Sequence, residues 1–269
     1  MSLTEIKELL KKTGLNPKKN FSQNFLFNDD TVERIISYVP ESKGFYIEIG
    51  GGLGTLTSEI IKRGLIPFTV IDMDRGMLKV LNSRFEGKAD ILMQDATKIK
   101  FSDHFKEHKG FVVGNLPYQV SSPIIHNTCY ESEYLDGALF LLQKEVAEKL
   151  CAMPGTREFG PLAGIVKMVG RADYLFTLPP QEFYPPPKVH SALVKITFYE
   201  HGYNREHLQK FVSFMRSLFS NRRKNLLNVF KINKLDINVL KRLEISETLR
   251  AESLDWDTIM ALSKAVMEG

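Results

Sequence analysis

An apolar run at 45–49 leads straight into Gly50-Gly51-Gly52-Leu53-Gly54 and then into a helical pattern over 55–63. Glycines clustered between a strand and a helix let backbone approach a ligand with no Cβ in the way. The same alternation continues along the chain. Strands are expected at 66–71, 89–93, 111–113 and 138–142, and helices at 76–85, 122–130 and 144–151. Short apolar strands that alternate with helices bury both faces of a sheet. They therefore predict an α/β core, a parallel sheet with helices on both sides.

The glycine loop taken alone admits a dinucleotide fold, an S-adenosylmethionine (SAM) fold or a tight turn. Two acids favour the SAM reading: Glu48, on the strand before the loop, and Asp72, at the end of the second strand, where a carboxylate can accept from ribose hydroxyls. Asp74 is a rival for that role; Asp72 is preferred because it ends the strand directly. Asp95, after Gln94 at the end of the third strand, is placed to meet the cofactor's adenine amine. These strand ends converge on one crevice at the carboxyl edge of the sheet.

At 269 residues, with 43% hydrophobic and 25% charged residues, the chain has the composition of a soluble globular protein with room for one large unit and a small one. No apolar run approaches a membrane span, and the charged N-terminus is unlike a signal peptide, so a cytoplasmic location is expected. Cys129 and Cys151 have neither metal-ligand nor disulfide spacing and are read as reduced, core or near-core residues; no metal site is expected. The net charge of +4 is unevenly placed: residues 1–200 hold 24 Lys+Arg against 24 Asp+Glu, and residues 201–269 hold 12 against 8. Arg216, Arg222, Arg223, Lys224, Lys231 and Lys234 follow one another without an intervening acid. Such a patch fits a polyanion, although a charge run is often only a solvated face.

Asn115-Leu116-Pro117-Tyr118 closes the fourth strand. An adenine N6 nitrogen is a poor nucleophile because its lone pair is delocalised into the ring. The Asn115 side-chain carbonyl, with the Leu116 or Pro117 backbone carbonyl, can accept its two hydrogens and favour a tetrahedral nitrogen. Pro117 stiffens the loop, and Tyr118 offers an aromatic face to the base and its developing positive charge. The tetrapeptide resembles the corresponding element of ribosomal RNA adenine-N6 methylating enzymes.

Further matches extend this likeness over essentially the whole chain: Gln23-Asn24-Phe25-Leu26, the 50–54 loop, Gln94-Asp95-Ala96, 114–118, Leu142-Gln143-Lys144-Glu145-Val146, 183–189 and Asn221-Arg222-Arg223-Lys224. In this order and spacing they resemble the KsgA family of small-subunit rRNA adenine-N6,N6-dimethyltransferases. The resemblance implies a class I SAM-dependent methyltransferase fold: a Rossmann-like, mostly parallel seven-stranded sheet ending in an antiparallel hairpin, with a small helical C-terminal domain. The closing strands are expected at 174–178 and 192–198, and the helices of the small domain at 208–218, 224–230, 237–240 and 256–266. The expected division is 1–200 for the catalytic domain and 201–269 for an RNA-binding domain, with the boundary at His201-Gly202.

The resemblance also assigns roles. Asn24, Leu26, Gly50, Gly52, Asp72, Asp95, Ala96 and Asn115 are expected to hold SAM. Asn115, Leu116, Pro117 and Tyr118 are expected to hold the target base, with Phe183 stacking on the flipped adenine beside the stiff Pro185-Pro186-Pro187 run. From the charge distribution, and apart from the resemblance, Arg222, Arg223 and Lys224, with help from Lys18 and Lys19, are expected to meet RNA phosphates. The implied substrate is a pair of adjacent adenosines near the 3′ end of small-subunit rRNA, in an immature subunit, met by a monomeric enzyme. The chain departs from the family at Ser22, frequently Gly; Gly51, frequently Pro; Asp72, usually Glu; and His190, commonly Asp. Two other readings stay open. One is an Erm-type large-subunit rRNA methyltransferase, in which Ser22 also occurs. The other is a non-catalytic nucleic-acid-binding relative of the mitochondrial transcription factor type.

Overall fold

The structure, a computed structural model, describes residues 1–17, 23–41, 45–105 and 108–268. The chain opens with α1 (Leu3–Thr13), which starts at a capping box between Ser2 and Glu5 and stops at Gly14 in the left-handed region. Then follow β1 (Phe25–Leu26), α2 (Asp29–Ile36), β2 (Tyr46–Ile49), α3 (Thr55–Lys62), β3 (Phe68–Asp72), α4 (Arg75–Phe85), β4 (Asp90–Met93), β5 (Gly110–Asn115) and α5 (Ser121–Tyr130). Next come β6 (Leu135–Gln143), α6 (Lys144–Leu150), α7 (Pro161–Val169), β7 (Gly170–Leu178), β8 (Phe183–Tyr184) and β9 (Ser191–Phe198). The chain ends in α8 (Arg205–Leu218), α9 (Leu226–Ile232), α10 (Asn238–Arg242) and α11 (Trp256–Met267).

The main sheet has seven strands in the order β4-β3-β2-β5-β6-β9-β7. β9 runs antiparallel to both its neighbours, and the remaining pairs are parallel. All four residues of β2 are buried, as the apolar pattern of a central parallel strand requires. From β2 the chain first builds outward through β3 and β4, then returns to the other side for β5 and β6. A ligand crevice forms at such a reversal, outside the carboxyl ends of the strands.

Side chains on the two sheet faces form separate cores. One gathers Ile47, Val112 and Phe140 with the helices that follow β5 and β6; the other gathers Tyr46, Val70, Val113 and Leu139 with α2 and α3. The C-terminal helices extend the first core. Phe211 and Met215 of α8 are fully buried in it, and a Cβ at Gly164 of α7 would lie 2.5 Å from the Met215 methyl carbon. Phe159 and Phe211 meet the Trp256 ring edge-on. The helical segment thus continues the core of the sheet unit.

Three expectations change locally. A helix expected from Lys224 begins at Leu226, because the Asn225 side chain accepts the Asn228 N–H and caps it there. Phe25–Leu26, where no strand is expected, pairs antiparallel with Phe183–Tyr184 to form a second, two-stranded sheet. This pairing puts Phe183 opposite Leu26 and buries both, so Phe183, expected to stack on a flipped adenine, is a core side chain, 2% exposed.

Candidate active site

The carboxyl ends of β2, β3, β4 and β5 enclose a cavity of about 330 Å³, the size of a small-molecule site. The glycine loop forms its floor. Gly52, at φ 56, adopts a backbone that side-chain-bearing residues avoid, and its N–H points at the Asp72 carboxylate, 3.0 Å away. At Gly51 a Cβ would lie 2.4 Å from a Val70 methyl carbon, and Val70 is buried in β3. That close approach leaves no room for a side chain at position 51.

Asp72 ends β3 and lines the cavity. One oxygen accepts the Gly52 N–H and the other the Asp74 N–H, at 2.8 Å. Burial pushes its carboxyl above the usual range, while these backbone donors pull it back. A carboxylate has about four lone-pair sites, so both oxygens retain acceptor capacity for a diol. Asp74 is committed differently: it caps α4 through the Gly76 N–H and accepts from Gln23 Nε2 at 2.9 Å. Asp72 is therefore the acid that faces the cavity.

Glu48 lies beneath the loop, 1% exposed, and accepts from the Thr57 hydroxyl at 2.6 Å. Burial pushes its carboxyl up to about 8; the Thr57 bond opposes the shift and the Asp72 charge adds to it. A buried carboxyl on the wall of a cavity gains from a cation placed there, which suits a sulfonium or ammonium group.

Asp95, Ala96 and Thr97 line the third wall. Asp95 Oδ1 accepts both the N–H and the hydroxyl of Thr97, at 2.9 and 2.7 Å, so the side chain shapes its own turn. Met73, 46% exposed, and Val120, 37% exposed, add apolar rims to the cavity. Sequence reasoning misses both; the one signal for them is position, since each closely follows a recognised element.

The fourth wall is Asn115–Tyr118. Asn115 Nδ2 donates to the Asn24 carbonyl at 3.0 Å, which turns Oδ1 away from that strand end. Leu116 is anchored: its side chain is 1% exposed and its N–H donates to the Leu141 carbonyl. The Pro117 carbonyl accepts the Val120 N–H at 3.1 Å, closing the turn into α5. The Tyr118 hydroxyl meets Ser191 Oγ at 2.8 Å, which holds the ring in the cavity lining; burial raises its pKa. Ser191, fully buried at the start of β9, is missed by sequence reasoning, since nothing local marks a serine as a tyrosine's partner.

Asn24 and Leu26 complete the lining from the N-terminal segment. The structure thus brings Asn24, Leu26, Gly50, Gly52, Asp72, Asp95 and Ala96 around one cavity with Asn115–Tyr118, and leaves Phe183 outside its lining. Lys18 and Lys19 lie outside the described residues. Arg222 is not a free phosphate ligand: its guanidinium donates to the carbonyls of Arg157 and Phe159 and lies over the Phe219 ring. Arg223 and Lys224 are exposed, and among the described residues neither has a carboxylate partner within 4.0 Å. Cys129 and Cys151 are free thiols, and among the described residues no cluster of His, Cys, Asp or Glu could hold a metal.

The strand order and this cavity define a class I SAM-dependent methyltransferase. A profile of the family described as Ribosomal RNA adenine dimethylase matches residues 14–266, and the chain belongs to that family. It is 33% identical over 264 residues to the Ribosomal RNA small subunit methyltransferase A of Desulfitobacterium hafniense, covering 96% of this chain and 95% of that one. It is 35% identical over 256 residues to the protein of that name from Acidithiobacillus ferrooxidans, covering 93% and 95%. Among solved structures, a dimethyladenosine transferase from Plasmodium falciparum superposes with a TM-score of 0.72 at 25% identity, covering 88% of this chain and 95% of that one. The 23S rRNA methyltransferase ErmE superposes at 0.63 with 19% identity, covering 91% and 100%, a likeness of fold.

Proposed function

We propose that the protein transfers methyl groups from SAM to the N6 atoms of two adjacent adenosines near the 3′ end of small-subunit rRNA, two to each. SAM supplies an electrophilic methyl on a neutral leaving group, so the chain's own tasks are alignment and lone-pair localisation. The observation that supports the reading is the bond from Asn115 Nδ2 to the Asn24 carbonyl in the cavity wall, which leaves the amide oxygen as the acceptor for an incoming amine. The Pro117 carbonyl already accepts the Val120 N–H, so the Leu116 carbonyl is the better second acceptor for the N6 hydrogens. With both hydrogens accepted, the nitrogen lone pair would be localised and available to the methyl group that SAM supplies when bound. The N6–C bond forms as the methyl–sulfur bond breaks, its electron pair stays on sulfur, and N6 then loses a proton to solvent. Tyr118 supplies the stacking face for an extruded base. A second transfer requires a pocket that admits a monomethylated amine.

The substrate we infer is rRNA within an immature small subunit, met by a monomer in the cytoplasm. The curated relatives carry a small-subunit name, and no helix among the described residues is long and apolar enough to cross a membrane. Exposed Arg223 and Lys224 are proposed to hold RNA phosphates. Tritiated SAM, with immature small subunits from a strain lacking its own enzyme and with large subunits as a second substrate, tests this. Label recovered as N6,N6-dimethyladenosine in small-subunit rRNA is expected. Label in large-subunit rRNA would favour the Erm-type reading. Absence of label with SAM bound, or no SAM binding at all, would overturn the proposal.

A further inference from the structure

Asn127 lies on α5, the helix that follows the Asn115–Tyr118 element, and is 2% exposed. Its side chain faces the segment that follows Asp95. Nδ2 donates to the Ile99 carbonyl at 2.9 Å and reaches the Ala96 carbonyl at 3.4 Å. Its Oδ1 accepts from Arg205 Nη2 at 3.0 Å. Arg205 opens α8, so it belongs to the helical C-terminal segment. Its other terminal nitrogen pairs with Glu131, itself 7% exposed, and its guanidinium lies 5.4 Å from the Tyr130 ring centre.

The turn at 95–99 has two kinds of support. Bonds from Thr97 and Lys98 back to Asp95 are internal. They give the turn its shape but say nothing about where it sits. The Asn127 amide is external: it ties two carbonyls of the turn to a helix packed in the core. An amide has a donor end and an acceptor end, and only one orientation serves the carbonyls. Arg205 offers donors only, so it holds Oδ1 on its own side and Nδ2 toward the turn. A buried amide left to rotate would present its oxygen to two carbonyl oxygens, which is repulsive, and would leave a buried donor unpaired.

We infer that Asn127 and Arg205 are a positioning pair for the adenine end of the cofactor pocket, through which the C-terminal segment sets the placement of Asp95 and Ala96. The inference rests on the reading that Asp95 receives the cofactor's adenine amine. Neither residue touches the ligand; each acts through the turn. The consequence is selective: displacement of the turn weakens recognition of the exocyclic amine, and the glycine loop and Asp72 keep their grip on the rest of the ligand.

The test measures, by calorimetry on the full chain, the affinity for S-adenosylhomocysteine relative to S-inosylhomocysteine, which carries an oxygen in place of the amine. Overall destabilisation lowers both affinities together, so their ratio isolates the adenine end. Asn127→Ala and Arg205→Gln are compared with wild type, with Asp95→Ala as the control. The Arg205 side chain is 41% exposed, so Arg205→Gln is the variant expected to fold even if Asn127→Ala does not. In both variants the preference for the adenine compound should fall about three- to tenfold, the scale of one misplaced hydrogen bond. Arg205→Lys should restore part of it. An unchanged ratio in the Asn127 and Arg205 variants, with a collapsed ratio in Asp95→Ala, overturns the positioning role alone. An unchanged ratio in Asp95→Ala overturns it together with the assignment of Asp95.

Discussion

Asn115 and Asn24 stand 91 residues apart in the chain, and the side-chain amide of the first donates to the backbone carbonyl of the second at 3.0 Å. The bond commits the N–H end of the Asn115 amide and leaves its oxygen as the end that can accept. It also explains why the N-terminal segment belongs to the site: without it, Asn115 could present an N–H to an amine that itself needs acceptors.

Asn115→Ala should leave the fold nearly intact, because the residue ends a strand, and the loss should appear mainly in the rate of transfer. Loss of a transition-state acceptor worth about 3–4 kcal/mol would slow methyl transfer several hundredfold. Single-turnover methylation checks this, and a wild-type rate in a folded Asn115→Ala protein would rule out the acceptor role.

Glu48 makes stability and binding depend on pH. Its carboxyl is raised from an ordinary 4.5 to about 8 in the folded protein. Between those values the folded state holds a proton that the unfolded state has lost, so stability is greatest below pH 4.5 from this group and declines as pH rises toward 8. One proton gives a slope of at most about 1.4 kcal/mol per pH unit. Glu48→Gln should flatten that slope in urea titrations. A cation in the cavity favours the ionised form, so SAM should release protons on binding near neutral pH and neutral S-adenosylhomocysteine fewer. Calorimetry in buffers of different ionisation enthalpy reads the difference; equal release for both ligands would remove Glu48 from the cation's surroundings.

Phe183→Ala should act first on stability. The ring is 2% exposed in the core beside β1, and removing such a side chain costs about 3–5 kcal/mol. A lowered urea midpoint is expected, with SAM affinity retained in the folded fraction. Unchanged stability with abolished methylation would instead mean that the ring leaves the core to meet the base.

The basic run divides into two roles. Arg222→Gln breaks bonds to the Arg157 and Phe159 carbonyls and should cost about 1–2 kcal/mol of stability. Replacing Arg223 and Lys224 by Gln should leave stability alone and weaken binding to small subunits, lowering the salt slope by about 0.7–0.9 log units for each phosphate no longer neutralised. Binding across a salt series separates them; an unchanged slope in the double variant would make the patch a solvated surface.

Features confined to one stretch of chain are legible in the amino-acid sequence alone. The strand–helix alternation marks the sheet, and each strand end carries its own chemistry: the glycine loop, Asp72, Asp95 and Asn115–Tyr118. These agree with the cavity because parallel strands deliver their carboxyl ends to one edge, so local order becomes spatial proximity. The preference for Asp72 over Asp74 rests on the same reasoning, and Asp74 serves as a helix cap.

What the sequence does not determine is everything set by pairing between distant segments. Phe183 reads as a recognition aromatic until the β1–β8 ladder puts it opposite Leu26 and inside the core. Arg222 reads like its neighbours until the loop preceding α7 brings two carbonyls to it. Ser191 beneath Tyr118, and Asn127 between Arg205 and the Asp95 turn, bear no local signature at all. Periodicity and motif spacing report which face of an element turns inward. Which residue waits there is decided by the packing of elements far apart in the chain, and a hydrogen bond or a buried ring takes its role from that partner.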